Sequence, residues 1–397
     1  MTSSQFDREA SSVQRRRPLL ALPLVLAAIA MLTAACVTLP REPFIGAEQS
    51  AATPPGFEHV RWTEGDPALA DTLRGTLRPG PDGLLNIIAI SGGGANGAYG
   101  AGLVSEWTKR GGRPVFQLVT GVSVGALSAP FVFLGSGWDA QLSDSFLNGD
   151  IQHLLQGRGL AALITPGIYS KKPLKRLVDH YVTDDLLAAV AAEHAKGRRL
   201  LVATTNLDTE QLVVWDMGAI ATHGGPAARK LFADVLVASS SVPVVFPPSL
   251  ITVEDGGRRF REMHVDGQTE SGFFGVPQTL LLGPTLAPTP YHVRFYVIVN
   301  GSIEPAFAVT PRATIPILSR TASAAEIGAL RSLLIANAEF CRANGCSLYI
   351  ASLPQGVRDE SLDFSAEHIA ALFSAGKSEM DADRAWQSIS QATSLGR

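Results

Sequence analysis

Two glycine-flanked turns hold the residues best suited to chemistry. Gly121-Val122-Ser123-Val124-Gly125 reads G-x-S-x-G. Between a strand and a helix such a pentapeptide is a nucleophile elbow, whose small flanking residues permit a sharp turn that presents the serine hydroxyl at the sheet edge. Upstream, Ser91-Gly92-Gly93-Gly94-Ala95-Asn96-Gly97 sets three successive glycines where an apolar run passes into a helical pattern. Glycines there open backbone conformations that leave amide N–H groups facing an anion at a helix N-terminus. Gly92, Gly94 and Gly97 also satisfy G-x-G-x-x-G, but a dinucleotide site needs an acidic residue about 20 positions on. The second apolar run ends Leu118-Val119-Thr120-Gly121, with no carboxylate near it. The two turns together suit acyl transfer instead. Ser123 would attack a carbonyl while amides of Gly92, Gly93 and Gly94 receive the oxyanion, each donor being worth on the order of 10²- to 10³-fold.

A serine hydroxyl needs a proton acceptor. Asp266-Gly267 ends the run Phe260-Arg261-Glu262-Met263-His264-Val265, which reads as a strand delivering the carboxylate to a turn. A Ser-Asp-His arrangement would instead draw on His292, at the start of an apolar strand, or His368, on the closing helix. Replacing each histidine singly separates the two readings.

The elements that must position these groups follow from periodicity. Leu84 to Ile90 reads as a buried strand, Gly97 to Arg110 as a helix, Val115 to Val119 as a strand and Val124 to Leu134 as a helix. Gly93 and Ser123 are thus about one βαβ unit apart, and right-handed crossover brings both turns to the same carboxyl edge of a parallel sheet. Further helices are expected at Lys171 to Tyr181, Asp184 to Lys196, Ala227 to Ala238, Ser323 to Arg342 and Ala366 to Ser374, the last capped by Ser365. Strands are expected at Leu200 to Thr205, Leu212 to Trp215, Phe260 to Val265, His292 to Val299 and Leu348 to Ser352. Alternating short apolar runs and helical stretches indicate an α/β fold with a mainly parallel central sheet.

Composition narrows the partners. The 397 residues are 46% hydrophobic and 17% charged, against a usual charged share of about 25%. Thirty-three Lys and Arg against 36 Asp and Glu give a net charge of −3, which excludes a phosphate-neutralising surface of the nucleic-acid kind. Part of the apolar excess lies at the N-terminus: Arg15-Arg16-Arg17 precedes an uncharged stretch from Leu19 to Ala35, the plan of an export signal over residues 1–35. Cys36 after Ala34-Ala35 resembles the lipobox of bacterial lipoproteins, although Thr33 stands where that motif prefers Leu. Acylation there would tether the chain to a membrane in the cell envelope without a spanning helix. Residues 36–83, punctuated by seven prolines, read as tether and lead-in. Cys341 and Cys346 are the other cysteines, and an exported chain leaves open a disulfide or two free thiols. Without histidines or a second pair nearby they give no zinc ligand set. No carboxylate-rich loop calls for calcium, so no metal or cofactor is expected.

Taken together, the Gly92-Gly93-Gly94 loop with Gly97, the elbow around Ser123, Ala238-Ser239-Ser240-Ser241-Val242-Pro243 with Phe246-Pro247-Pro248, Thr205-Asn206-Leu207-Asp208 and Asp266-Gly267 resemble the patatin-like phospholipase family. The resemblance spans about residues 85 to 300, and Asp363-Phe364 through Trp386 are similar to bacterial members. It implies a three-layer α/β/α sandwich with a catalytic domain over 84–300 and a C-terminal helical segment, 301–397, packed on the same domain. It also implies a Ser-Asp dyad, with Ser123 as nucleophile, Asp266 as general base and glycine-loop amides as oxyanion donors, acting on lipid or other ester substrates. A lipid-binding envelope protein that keeps the fold without activity is the alternative outside catalysis. Two positions depart from the family: Asn96, where Arg or Lys is frequent, and Gln268, where Gly or Ala is frequent.

Overall fold

β2 (Leu84–Ile90) and β3 (Leu118–Val122) pair in parallel, and the helix between them, α1 (Gly97–Lys109), crosses over the sheet as a βαβ unit requires. β3 runs straight into α2 (Val124–Leu134). The computed structural model describes residues 41–389 apart from 149, 156, 158–166, 284–285, 287–289 and 306. The export segment and Cys36 lie outside the described residues.

Among the described residues the sheet has nine strands. Its main order is β1 (Arg61–Thr63), β5 (Gln211–Asp216), β4 (Arg199–Asn206), β3, β2, β8 (His292–Val299) and β9 (Ser347–Ser352). β4-β3-β2-β8-β9 are all parallel, while β1 and β5 add antiparallel at one edge. Apolar side chains leave both faces of the sheet. On β2, Ile88 and Ile90 join a core with α1 and α2, whereas Ala89 packs on the other face with Phe295 and Leu334. Burial on both faces is why the parallel strands read as near-continuous apolar runs. The result is a mixed, mostly parallel sheet flanked by helices, the α/β/α fold expected.

One join in this sheet positions the site. β4 pairs with β3 only over its first part, Val122 lying opposite Ala203. Where β3 turns away at Ser123, β7 (Arg258–Asp266) takes over the same side of β4, with Asp266 opposite Thr204. β7 is the second arm of a hairpin with β6 (Ser249–Asp255), a strand whose charged and polar residues hid it from the periodicity reading. The ends of β3 and β7 therefore meet head to head along β4.

The lead-in, read as a tether, is folded from residue 46 on. A helix at Pro67–Thr76, capped by the Asp66 carboxylate on the Ala68 amide (2.9 Å), buries Leu69 and Leu73. β1 is three residues long, too short to show as periodicity, and it survives as an edge strand because Arg61 reaches inward. The guanidinium donates to both carboxylate oxygens of Glu262 on β7 and to the Ala52 carbonyl, and lies over the Trp215 ring. Glu262 bonds His264 Nε2 (3.1 Å), His264 Nδ1 meets Thr204 Oγ1 (3.0 Å), and Thr204 accepts from Trp215 Nε1 (2.8 Å). Burial would raise Glu262, but the bonds from His264 and Arg61 win and hold it at about 2. Burial pushes His264 down against the pull of Glu262. Removing Arg61 strands a charge in the core, so Arg61→Ala should lose about 3 kcal/mol in urea unfolding; an unchanged midpoint would contradict this account.

The long C-terminal helix α3 (Thr314–Asn344) begins earlier than the sequence suggests, because Pro316 falls within its first turn, where proline is tolerated. A disulfide joins Cys341 at its end to Cys346 before β9. The closing helix α4 (Ala366–Asp381) is capped by the Ser365 hydroxyl on the His368 amide (3.4 Å) and lies against α1. No helix among the described residues is long and apolar enough to cross a membrane.

Candidate active site

Ser123 sits at φ 56° and ψ −127° between β3 and α2, a backbone conformation that costs a non-glycine residue free energy and needs surrounding structure to hold it. The flanking glycines explain how the turn closes. A Cβ on Gly121 would lie 2.5 Å from the Gly125 carbonyl oxygen, and one on Gly125 would lie 2.3 Å from the Ile90 carbonyl oxygen. The serine run after the helix at Gly225–Ser239 braces the turn. Ser239 Oγ accepts from the Ser123 amide (3.0 Å) and donates to the Ala203 carbonyl (2.7 Å), while Ser240 Oγ donates to the Ser123 carbonyl (3.1 Å). Ser241 continues the brace, its carbonyl accepting from the Asp266 amide (3.0 Å). The Ala238-to-Pro243 motif was visible in the sequence, but its clamp on both turns was not.

The Ser123 hydroxyl donates to Asp266 Oδ2 at 2.5 Å, and Asp266 Oδ1 accepts from the Gln268 amide at 2.8 Å. Ser123 is 3% exposed and Asp266 2%. Burial pushes the Asp266 carboxyl up to about 7, against the opposing pull of the bonds from Ser123 and Gln268, with the Glu326 carboxylate adding a smaller push upward. A buried carboxylate poised near neutrality can take a proton from the hydroxyl it touches and return it.

The glycine loop faces the same point, with one correction to the sequence reading. The Gly92 amide donates to the Gly272 carbonyl (3.2 Å), so Gly92 is engaged and is not a free oxyanion donor. The amides of Gly93 and Gly94 have no partner among the described residues. Gly93 takes φ 144°, and its missing Cβ would fall 1.9 Å from the Asn300 carbonyl oxygen. Asn300, directly after β8, fixes the loop: its amide N–H donates to Ser91 Oγ (2.8 Å), its Nδ2 donates to the Ser91 carbonyl (2.9 Å), and its Oδ1 accepts from the Gly100 amide (3.2 Å). Sequence reasoning missed Asn300; a polar residue at the end of an apolar strand was the available signal.

The two departures from the family pattern have structural uses. Asn96 is buried and donates to Asp359 Oδ1 (2.6 Å), whose Oδ2 accepts from the Ser302 amide (2.8 Å). The Ser361 carbonyl accepts from the Ala95 amide (2.8 Å), so the segment before α4 anchors the glycine loop. Gln268 packs over Gly92, where a Cβ would overlap its Oε1, and donates to Glu326 on α3.

The histidines stand elsewhere. His292 begins β8 opposite Leu84, at the far edge of the sheet and about 20 Å along the strand from the catalytic turns, where it bonds Ser347 Oγ (2.9 Å). His368 is buried in the first turn of α4, its Nε2 without a partner. Neither touches Ser123. Among the described residues no three His, Cys, Asp or Glu gather as a metal site.

A mostly parallel α/β/α sheet that presents a strained serine against a buried aspartate and two free amides is the layout of a hydrolytic domain. Residues 88–270 match the family model for patatin-like phospholipase, so the chain carries a patatin-like phospholipase domain over that stretch, and the family points to lipid acyl hydrolysis. The crystal structure of VipD from Legionella pneumophila is similar at 13% identity and a TM-score of 0.38, over 75% of this chain and 67% of that one, a likeness too loose to transfer any property. No curated protein matches the chain significantly.

Proposed function

We propose that the protein cleaves carboxylic ester bonds of lipids, as a phospholipase A, lysophospholipase or lipase, through a Ser123-Asp266 dyad. The observation that carries this reading is the 2.5 Å hydrogen bond from Ser123 Oγ to a carboxylate raised by burial to about 7. Ser123 Oγ attacks the ester carbonyl as its proton passes to Asp266 Oδ2, and the oxyanion forms toward the Gly93 and Gly94 amides. Collapse of the intermediate expels the alcohol, which takes the proton from Asp266. Water, deprotonated by the same carboxylate, then cleaves the acyl-enzyme and restores the hydroxyl. A narrow apolar cleft begins at Val124 beside the nucleophile and is lined by Leu127, Phe131, Phe146, Leu177 and Leu236, a lining whose chemistry suits an acyl chain.

Hydrolysis of a lipid panel by the purified protein, with Ser123→Ala as control, tests the reading. Covalent labelling of Ser123 by a fluorophosphonate separates it from an inactive lipid-binding role. Because Asp266 must be ionised to accept the proton, kcat/KM should rise about tenfold per pH unit below its pKa and level off above about 7. A profile flat from pH 5 to 8 would exclude Asp266 as the base. Replacing His292 or His368 should leave hydrolysis within about twofold, since neither reaches the serine. We further propose that residues 1–35 export the chain and that acylated Cys36 holds it at a cell-envelope membrane. Incorporation of labelled palmitate, lost in Cys36→Ser, tests that anchor.

A further inference from the structure

Large exposed apolar side chains are concentrated on one segment that leaves the catalytic edge of the sheet. Phe307 (94% exposed), Val309 (84%), Ile317 (51%) and Leu318 (63%) fall within twelve residues of one another, on the segment that leaves β8 after Asn300 and enters α3. Both ends of this segment are tied to the site. Asn300 fixes the glycine loop, and Glu326, two turns into α3 beyond Leu318, holds Gln268 over Gly92. A further exposed apolar side chain comes from a separate part of the chain, near the serine clamp in sequence. Val244 is 72% exposed at φ 69°, three residues after the serine clamp, and its carbonyl accepts from the amide of Ile168, also exposed. Exposed β-branched and aromatic side chains concentrated on a segment tied at both ends to the site mark an interaction surface.

Charge selects the occupant. From Pro305 to Ala325 the chain has Arg312 and Arg320 and no carboxylate, although it carries 36 acids in all and is net negative. Apolar side chains flanked by arginine suit the boundary between head groups and acyl chains of an anionic bilayer. We infer that residues 307–318 dock the catalytic edge onto an anionic lipid surface, so that an ester in that surface lies next to Ser123. This rests on the hydrolase reading above, and it is distinct from any N-terminal anchor.

The test uses the full chain with Cys36→Ser, in which the disulfide protects the remaining cysteines. Phe307→Cys carries an environment-sensitive nitrobenzoxadiazole fluorophore, and Val115→Cys, exposed just before β3 at the opposite edge of the sheet, serves as control. With vesicles of phosphatidylcholine containing about 30 mol% phosphatidylglycerol, emission at 307 should shift to the blue and emission at 115 should not, the shift weakening in pure phosphatidylcholine or high salt. No shift at 307, an equal shift at 115, or an equal shift on neutral vesicles would each overturn the inference. In a second arm, the combined variant Phe307→Ser, Val309→Ser, Ile317→Ser and Leu318→Ser should lose at least about tenfold on vesicle phospholipid and change less than about twofold on p-nitrophenyl butyrate. Equal losses on both substrates would also overturn it. If the chain hydrolyses neither ester, the hydrolase reading fails while the fluorescence still decides docking.

Discussion

Ser123→Ala and Asp266→Asn should each reduce ester hydrolysis by about 10⁴-fold or more, because each removes one end of a single proton-transfer unit and the losses within such a unit are not additive. The double variant should therefore be no worse than either single one. The two differ in stability. Ser123→Ala deletes one hydrogen bond and relieves little else, so its unfolding should stay close to that of the parent. Asp266→Asn removes a carboxyl whose folded pKa, about 7, stands above the ordinary value near 3.9 of the unfolded chain. Between those two pH values the folded state keeps a proton that the unfolded state has released, so this group favours folding less as pH rises and disfavours it fully above about 7. The asparagine variant should gain nothing at pH 3.5 and melt higher than the parent at pH 8. Thermal unfolding at the two pH values measures this. A variant that melts lower at pH 8, with activity intact, would remove both the dyad and the account of its buried acid.

Gly93→Ala should cost about 10²- to 10³-fold in kcat with little change in KM. The position takes φ 144°, and the added methyl would meet the Asn300 backbone oxygen at 1.9 Å, so the loop itself must move. Its displacement carries the two free amides away from the carbonyl oxygen at the moment charge develops there. Substrate held chiefly by its acyl chain near Leu127 and Phe131 would bind as before. Gly356 gives the control, since it also has positive φ (87°) but nothing within 4 Å of the point an added methyl would occupy; Gly356→Ala should leave kcat within about twofold. A rise in KM with kcat unchanged at Gly93 would place the loop in substrate binding rather than in stabilising charge.

How much of this was legible in the sequence varied with the range of the interactions involved. The elbow around Ser123 and the triple-glycine loop are local: their turns depend on residue types within a few positions, and β2, α2 and β8 appear with the bounds that periodicity indicates. Asp266 could be nominated, as the carboxylate that an expected strand delivers to a turn. Its choice over His292 and His368, neither of which lies in an expected active-site turn, needed a family resemblance as well, because chain order does not say which edge of the sheet a residue reaches. β6 was hidden by its charged residues, and the lead-in passed for a tether because a three-residue strand has no measurable period.

Residue types and spacing by themselves determined the chemistry on offer here: a serine on a sharp turn, amides made available by glycine, and a carboxylate one strand away. Only the tertiary structure decided which of those groups come together. β7 follows β3 along the same side of β4, which sets Asp266 against Ser123. Gly272 occupies the Gly92 amide, leaving those of Gly93 and Gly94 without a partner among the described residues, and burial lifts Asp266 to about 7. Each of these depends on what a distant part of the chain places within a few ångströms, and hydrogen-bond availability and desolvation are properties of that neighbourhood rather than of the residue.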